Sequence, residues 1–417
     1  MAKYIFVNRF FYPDYSATSQ ILTDLTLYLS GYEMDIHVVT SRLSYDKLAV
    51  KLPVKEKVHN ITVHRVWSSN FGRTNIVGRA IDYLTFYLSA ILRLLLLVKR
   101  DDLLITKTDP PLMSIFTTLI AKIHSAKAIN WLQDLFPEVA IHLDVNFLKG
   151  RLGRVLIYLR NYSLRKAFSN VVLGEKMRDR LIKEGVSQSK IEIIQNWSVN
   201  QQIAPEGDHQ LRTQWGLDGK FVIGYSGNLG RAHDSQTIIN AMLALKDSQE
   251  IVFLFIGGGS HYVKVEQACE RYNISNAVFK PYQPYSELHL SLAAADVHWL
   301  CLQPKLEGLI VPSKFYGIAA AGKPVIFIGD TEGEVATLIN DRKMGFVVPF
   351  GDSQALLEKF NYLALNRSLC QQMGQNNRKI FEREFDSRFA FHAWKKVLEK
   401  VESKSAVVTY PKVEKAN

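Results

Sequence analysis

Short apolar runs alternate along the chain with longer stretches in which apolar residues recur every three or four positions. Short runs of this kind predict buried strands, and the longer spacing predicts helices with one apolar face. In the first half of the chain the predicted strands cover residues 3–8, 37–40, 103–106, 128–132 and 170–173. Strands that alternate with helices predict parallel sheets covered by helices on both faces.

The periodic pattern fades between residues 199 and 219, where proline and glycine interrupt it. Further apolar runs follow, each ahead of a helical stretch, at residues 221–225, 251–256, 277–280, 297–301, 324–328 and 345–349. We therefore predict the α/β class, with two doubly wound, Rossmann-like lobes that face a central cleft. The predicted parts are an N-terminal lobe over residues 1–198, a junction over 199–219, a C-terminal lobe over 220–385, a closing helix over 386–403 and a mobile tail over 404–417.

The longest apolar stretch, residues 83–98, contains Arg93 and is shorter than the roughly 20 residues that a membrane-spanning helix needs. We expect it to form a buried helix. The first residues lack the charged start and continuous apolar segment of a signal peptide, and the three cysteines lack the short spacings of disulfide frameworks or thiolate metal sites. A reducing, cytoplasmic location is therefore expected.

The formal net charge of +11 predicts attraction to an anionic partner. Residues 146–183 concentrate this charge, with ten basic residues against two acidic ones, interleaved with apolar residues. Such a surface can dock on the anionic inner face of a membrane, or it can be a solvated helix face. No motif that reads nucleic acid accompanies it, so no nucleic acid is expected as a partner. The basic residues are Lys149, Arg151, Arg154, Arg160, Arg165, Lys166, Lys176, Arg178, Arg180 and Lys183.

The strongest candidate for chemistry is residues 311–326, VPSKFYGIAAAGKPVI. Ser313 follows a proline and can cap a short helix over residues 315–321, which Gly322 ends. Ser313 and Lys314 then lie at the helix N-terminus, where free backbone N–H groups and an ammonium group suit a diphosphate. The alternative is an ordinary capped helix of an α/β domain.

The turn at residues 225–234, YSGNLGRAHD, follows a predicted strand. Gly227 lets the backbone approach a phosphate closely, and Arg231 can bind that phosphate with two hydrogen bonds. The alternative is an ordinary turn with Arg231 in solvent. His233 can reach the same site, but the favoured expectation is that it faces solvent at the start of the next helix.

Residues 255–260, FIGGGS, place three glycines after another predicted strand. A dinucleotide-binding fingerprint would need glycine where the chain has Tyr262, so a nicotinamide dehydrogenase is disfavoured. Residues 131–138, WLQDLFPE, place Gln133 and Asp134 at the end of a predicted strand, the edge at which α/β folds bind ligands. Asp134 can orient an acceptor hydroxyl, or it can simply cap the turn that follows.

The sequence gives little indication of a metal-binding site. It contains no D-x-D triplet and no histidine pair at helical metal spacing, so we expect no metal at the site. Lysine and arginine would then neutralise the charge of a bound diphosphate.

Together these motifs resemble the retaining glycosyltransferases of family four, which have the GT-B fold of two facing lobes. The resemblance covers nearly the whole chain and points to the branch that builds capsular, colanic-acid-like or lipopolysaccharide sugar chains. It implies that Gly257 and Gly258 flank the nucleotide of the donor and that the YQPY segment contributes to the base pocket, unless its aromatic pair only packs in a turn. The segments that carry the resemblance are residues 190–198, 225–234, 255–260 and 312–326. The predicted donor-binding residues are Gly227, Asn228, Gly257, Gly258, Tyr282, Glu307 and Ser313.

One departure concerns two glutamates that the family carries eight positions apart and that help to hold the donor's ribose and sugar. At the second position this chain has Gly317, and at the first it has Leu309. Glu307 lies two residues before Leu309 and is the candidate to supply the missing carboxylate. The pattern PSK-x-Y-G is similar to that of one branch within the family.

The motifs and the resemblance imply a metal-independent hexosyltransferase. It would move a sugar from a nucleotide-diphosphate sugar to a hydroxyl acceptor with retention of the anomeric configuration, and Lys314, Arg231 and Asp134 are the predicted catalytic residues. The expected acceptor is lipid-linked or a growing polysaccharide in cell-surface glycan synthesis, and no cofactor is expected besides the nucleotide sugar. The alternatives are a nucleotide-sugar epimerase of the same fold and a non-catalytic module that binds membrane or nucleic acid.

Overall fold

The structure is a computed structural model that describes residues 2–14, 16–44, 52–71, 76–198 and 210–406. Within these ranges the chain forms two α/β lobes, each built on a mainly parallel sheet. The α/β class and the two doubly wound lobes predicted from the sequence are therefore confirmed. Residues 199–209 of the predicted junction and residues 407–417 of the predicted tail lie outside the described residues.

The N-terminal lobe is built on one large sheet. Its strands are β1 (Lys3–Val7), β2 (Asp35–Ser41), β3 (Lys55–Val58), β4 (Ile61–Val66), β5 (Leu103–Lys107), β6 (Lys127–Trp131), β7 (Ser169–Val172) and β8 (Ile191–Ile193). They lie in the order β3-β4-β2-β1-β5-β6-β7-β8, and of these neighbours β3 and β4 are antiparallel while the rest are parallel. The helices are α1 (Ala17–Leu29), α2 (Ile76–Leu97), α3 (Met113–His124), α4 (Glu138–His142), α5 (Arg151–Lys166) and α6 (Glu175–Lys183).

Two strands at one edge of this sheet were not predicted from apolar runs. β3 has the sequence KEKV, and its side chains alternate between exposed and half-buried, as suits a charged edge strand that resists further pairing. The apolar pattern of β4 is interrupted by His64 and Arg65. Both side chains are nevertheless buried, because each has a polar partner. His64 Nε2 lies 2.8 Å from Nδ1 of His37, and Arg65 forms an ion pair with Glu56.

The C-terminal lobe contains a six-stranded parallel sheet in its described part. Its strands are β9 (Phe221–Asn228), β10 (Ile251–Gly258), β11 (Ala277–Lys280), β12 (Val297–Cys301), β13 (Val325–Gly329) and β14 (Gly345–Pro349). The order is β11-β10-β9-β12-β13-β14, so the direction of winding reverses between β9 and β12. Ligands of open α/β sheets bind at such a reversal, beyond the carboxyl ends of the strands. The helices are α7 (Gln210–Gln214), α8 (Gln236–Ala244), α9 (Ser260–Tyr272), α10 (Leu288–Ala293), α11 (Lys314–Ala320), α12 (Glu334–Arg342), α13 (Ser353–Leu365), α14 (Arg367–Ile380) and α15 (Ser387–Ala406).

The two lobes share part of their apolar core. Leu135 and Val172 of the N-terminal lobe belong to the same buried cluster as Val311 and Phe315 of the C-terminal lobe. The last helix, α15, crosses back to the N-terminal lobe, where the ring of Trp394 packs 4.5 Å from the ring of Trp131. The cleft is therefore bounded by lobes that are in contact through packed side chains.

The helix expected at residues 83–98 is present, but the expectation that it is buried is wrong. α2 extends over Ile76–Leu97, and within the described residues its segment Val77–Leu97 is the one helix long and apolar enough to cross a membrane by length and composition. Only 22% of the 18-residue apolar window in that segment is buried, because one side of α2 packs on the sheet while the opposite side is exposed. A run of apolar residues cannot by itself distinguish a helix that is enclosed from one that is covered on a single side.

Candidate functional site

The carboxyl ends of β9 and β10 meet at a pair of glycines. Gly227 and Gly257 are neighbours in the parallel register, with φ values of +117° and +132°. A Cβ atom added to Gly257 would lie 2.3 Å from the carbonyl oxygen of Gly227, and one added to Gly227 would lie 2.7 Å from Cε of Lys314. Both positions therefore require glycine, for the backbone angle and for space.

Lys314 is the first residue of α11, and its side chain crosses over Gly227. Nζ lies 5.4 Å from the ring centroid of Tyr225 and 3.5 Å from Nε2 of His233. Burial lowers the pKa of Lys314 to about 8. Among the residues that the structure describes, no carboxylate forms an ion pair with this ammonium group. Such a cation, partly desolvated and without an anionic partner, suits an anionic ligand.

His233 lies beside Lys314, so the favoured expectation that it faces solvent is wrong, and the alternative position next to the candidate site is the one observed. Its Nδ1 lies 2.6 Å from the carbonyl oxygen of Cys301, which can only accept a hydrogen bond, so Nδ1 carries the proton. Burial, and then the charge of Lys314, lower the pKa of His233 to about 3. The ring is therefore neutral, and its free Nε2 can accept a hydrogen bond from Lys314. The sequence feature that could have indicated this position is the small number of residues between His233 and the glycines of the turn.

The second glycine segment lies beside an exposed aromatic ring. A Cβ atom at Gly258 would lie 3.4 Å from the ring of Tyr282, so the absence of a side chain lets this ring lie close to the backbone. The side chain of Asn228 fills the space over Gly259, where an added Cβ would lie 2.3 Å from its Oδ1. The exposed ring of Tyr282 is an aromatic surface on which a base can stack. The side chain of Tyr285, the other aromatic residue of the predicted base pocket, lies outside the described residues.

Arg231 lies at the boundary between the lobes. Its exposed guanidinium group donates a hydrogen bond to the carbonyl oxygen of Leu143, in the N-terminal lobe. The backbone of the same turn is fixed by Gln303, whose Nε2 donates to the carbonyl oxygen of Arg231 at 2.8 Å. The structure thus brings Arg231 to the mouth of the cleft, with its described contact on the facing lobe.

The two remaining donor-site candidates, Ser313 and Glu307, differ in whether their side chains already form hydrogen bonds. Ser313 precedes α11 and is exposed, and its side chain makes no capping hydrogen bond, contrary to the expected cap. Glu307 is engaged, because its Oε1 accepts a hydrogen bond from the backbone N–H of Glu334 at 2.8 Å and so caps α12. Burial raises the pKa of Glu307. At Gly317 there is room for a side chain, since the nearest atom to an added Cβ is a methyl carbon of Leu292 at 3.7 Å.

Asp134 lies in the facing lobe, directly after β6. Its backbone forms an isolated antiparallel bridge with Ile310, and the next residue, Leu135, donates to the carbonyl oxygen of Leu309 at 2.9 Å. Asp134 therefore touches the segment that leads to Lys314. Burial raises the pKa of its carboxyl group to about 6, against the lowering effect of a hydrogen bond from Thr108.

Buried polar atoms without a partner cluster around Asp134. Among the described residues, Oδ1 of Asp134 and Nε2 of the adjacent Gln133 have no hydrogen-bond partner. Lys107, at the end of β5, is fully buried, and its Nζ lies 3.7 Å from the ring centroid of Trp131 without a hydrogen-bond partner. Burial lowers the pKa of Lys107 well below its usual value. Unsatisfied buried groups of this kind are costly, and they commonly mark a ligand site. Lys107 was missed because a single lysine at a strand end has no motif.

The basic residues of 146–183 do not form one free surface. Arg160 is buried, with its guanidinium nitrogen 2.5 Å from a carboxylate oxygen of Glu138. Lys149 pairs with Asp144, also at hydrogen-bond distance. Arg151 and Arg154 are exposed on α5.

Comparisons with known proteins agree with this arrangement. Residues 208–380 match the family described as glycosyl transferases group 1. Over 261 residues the chain is 27% identical to WbjE of Pseudomonas aeruginosa, which is named a probable glycosyltransferase, and the match covers 62% of this chain and 65% of WbjE. It is 26% identical to WcaI of Escherichia coli strain K12, a protein named for colanic acid biosynthesis, over 53% of this chain and 55% of WcaI. The chain thus spans less than two thirds of the length of these two relatives.

A solved structure extends the comparison to the whole fold. The crystal structure of Anabaena Alr3699/HepE in complex with UDP has a TM-score of 0.71 at 15% identity, covering 95% of this chain and all of that one. At this identity the likeness shows the fold alone. The chain therefore has the GT-B fold, matches the group 1 glycosyl transferase family over residues 208–380, and resembles the family-four glycosyltransferases of the capsular and colanic-acid type, as its sequence predicts.

Proposed function

We propose that this protein is a glycosyltransferase that moves a hexose from a nucleotide-diphosphate sugar to a hydroxyl acceptor, with retention of the anomeric configuration and without a metal ion. The observation that carries the proposal is Lys314, a partly desolvated cation without a described anionic partner, held over the glycines that end β9 and β10. The relatives' names and the UDP bound to the HepE protein support a nucleotide donor.

On the donor side, the diphosphate would lie between Gly227, Gly257 and Lys314. Negative charge grows on the diphosphate as the glycosidic bond breaks, and a fixed ammonium group stabilises that charge in the transition state. Because His233 is neutral, it would position the ammonium group of Lys314 without neutralising its positive charge. Ser313, with a free hydroxyl group, would donate a further hydrogen bond to a phosphate oxygen.

The base of the nucleoside would stack on the exposed ring of Tyr282. Gly258 lets this ring lie close to the backbone, and the side chain of Asn228 packs over the neighbouring Gly259. Arg231 would add positive charge at the mouth of the cleft, where it could exchange its contact with Leu143 for one with a phosphate. Glu307 is a weaker candidate for the donor's ribose, because it already caps α12.

On the acceptor side, Asp134 would accept a hydrogen bond from the attacking hydroxyl group. Its unpartnered Oδ1 and the amide of Gln133 offer an acceptor and a donor to a sugar hydroxyl. We further propose that the acceptor is lipid-linked or a growing polysaccharide in cell-surface glycan synthesis, at the cytoplasmic face of the membrane. The name of WcaI supports polysaccharide synthesis, the broader part of this proposal.

A donor panel tests the proposal. The full chain is heated with UDP, GDP, ADP and CDP and with their hexose conjugates, and the bound nucleotide should raise the melting temperature, since a ligand at 100 times its Kd stabilises the native state by about 2.7 kcal/mol. Product analysis follows for the donor that binds. Nucleoside diphosphate should appear only when an acceptor is added, with an α-donor giving an α-linked product. Release of an isomerised free nucleotide sugar, or no shift with any nucleotide, would contradict the proposal.

A further inference from the structure

The long helix α2 is apolar on two opposite sides. Phe86, Ala90 and Leu94 face inward and belong to the core beneath the helix. Leu88 and Leu92 project to the opposite side and are exposed. Water-exposed apolar surface of this extent is unfavourable in a soluble monomer, and it commonly marks a place where a partner binds.

The neighbouring helix α3 continues this apolar surface. α2 and α3 pack side by side, with the rings of Tyr87 and Phe116 5.5 Å apart. Beyond this contact, Leu119 and Ile123 of α3 are also exposed. We call the exposed apolar side chains of α2 and α3 the apolar face.

Basic residues surround the apolar face. Lys99 follows α2, Lys122 lies between the exposed residues of α3, and Arg151 and Arg154 lie on α5, which packs against α3 through a 2.9 Å hydrogen bond between Thr118 and Ser163. α3 and α5 contain no acidic residue, and the one acidic residue of α2, Asp82, is buried. After α2, the exposed Asp101 pairs with Arg100, and it is outnumbered by the basic residues of the border. An apolar stripe with a mainly basic border is complementary to a bilayer that contains anionic lipid.

We propose that the apolar face docks on an anionic lipid bilayer, with α2 lying along the surface. α2 does not span the bilayer, because its inward side is part of the lobe's core. Docking would bring a lipid-linked acceptor close to the cleft. In this respect the docking proposal rests on the proposed function.

Vesicle flotation with the full chain tests the docking surface. The double variant L92Q/L96Q is compared with V263Q/L365Q, whose leucine on α13 has the same 82% exposure as Leu96. With vesicles of phosphatidylglycerol and phosphatidylcholine, L92Q/L96Q should lower the partition coefficient by about a hundredfold, or about tenfold for each leucine withdrawn from lipid. V263Q/L365Q should bind like the unchanged protein.

The charge requirement is tested separately. R151E/R154E, whose two positions are exposed and outside the apolar face, should lower binding to the anionic vesicles by at least about tenfold, since each basic residue near an anionic surface contributes about 1 kcal/mol. Pure phosphatidylcholine vesicles should bind the unchanged protein weakly. Melting temperatures within about 2 °C of the unchanged protein confirm that each variant is folded.

Two outcomes would overturn the proposal. One is equal vesicle binding by L92Q/L96Q and by the unchanged protein, or no binding by either. The other is a dimer in sedimentation velocity that L92Q/L96Q dissociates, which would make the apolar face an interface between two copies. Nucleotide binding is measured on the same samples and should be unchanged in L92Q/L96Q, so failure of the docking proposal is distinguishable from failure of the proposed function.

Discussion

The two edges of the cleft are built from opposite kinds of residue. On the C-terminal lobe, the strand ends are glycines at positive φ, with the single cation Lys314 laid over them. On the N-terminal lobe, the strand ends bear the large buried groups Lys107 and Asp134, each with a polar atom that has no partner among the described residues. The first edge leaves backbone uncovered, as the proposed phosphate site requires, whereas the second presents side-chain atoms, as the proposed acceptor site requires. Equivalent positions of two similar sheets can thus support donor binding and acceptor activation.

The largest effect on stability and binding is expected for a substitution of the glycines that end β9 and β10. Gly257→Ala forces a methyl group against the Gly227 carbonyl oxygen at a φ of +132°, so it should lower the free energy of unfolding by about 2–4 kcal/mol and abolish nucleotide binding. The control is Gly351→Ala, at a φ of +88° with no atom within 4 Å of the added Cβ, which should cost about 1 kcal/mol. Chemical denaturation and calorimetry measure both. Equal losses in the two variants would mean that the close approach of the strands is unimportant.

A substitution of Asp134, on the N-terminal side of the cleft, should lower turnover and leave the affinity for the donor nearly unchanged. Asp134→Asn removes the proton acceptor, so turnover with acceptor should fall by about a hundredfold while the Kd for nucleotide changes less than threefold. Because the pKa of Asp134 is about 6, the rate of the unchanged protein should rise with pH through that value. The variant should lack this rise. A normal pH profile in Asp134→Asn would assign the proton transfer to another group.

The same substitution should stabilise the fold. Burial raises the pKa of Asp134 above its value in the unfolded chain, so the native state favours the protonated form, and stability declines as the pH rises toward and through about 6. Asp134→Asn removes the buried charge and should raise the free energy of unfolding by about 1–2 kcal/mol at pH 8. At pH 4 the gain should vanish. Urea denaturation at the two pH values is the measurement, and a gain that is larger at pH 4 would refute the assignment.

The smallest effect is expected at the glycine that departs from the family. Gly317 lies within α11 and has room for a methyl group, so Gly317→Ala should raise stability by about 0.5–1 kcal/mol and leave nucleotide affinity unchanged. The same chemical change at Gly257 is expected to be strongly destabilising. Thermal denaturation of the two variants side by side would sharpen the contrast between a glycine that is required and one that is not.

The sequence predicted those parts of the fold that depend on uninterrupted apolar runs. β1, β5 and β10 were identified because nearly all of their residues are buried. β4 was missed because His64 and Arg65 are buried through polar partners that come from other strands. The exposed side of α2 was missed for the opposite reason, since apolar residues were expected to be covered.

The candidate site was predictable to a similar degree. Lys314 and the glycines of β9 and β10 could be proposed as candidates because helix starts and glycine turns are encoded locally. The burial of His233 and of Lys107 was not predicted, because their surroundings are formed by residues distant in sequence, such as the Cys301 carbonyl and the Trp131 ring. Likewise, only the fold reveals that Glu307 is engaged with the backbone of Glu334.

The proposed role of Lys314 is to bind the diphosphate of the donor. Titration calorimetry on the unchanged protein and on Lys314→Ala, each with the preferred nucleoside diphosphate and with the nucleoside that lacks phosphate, isolates that interaction. Lys314→Ala should weaken binding of the diphosphate by about thirtyfold to a hundredfold, because a charge-assisted contact is lost, and should leave the weak binding of the nucleoside unchanged. Equal weakening of both ligands, or a change of less than threefold for the diphosphate, would contradict this role.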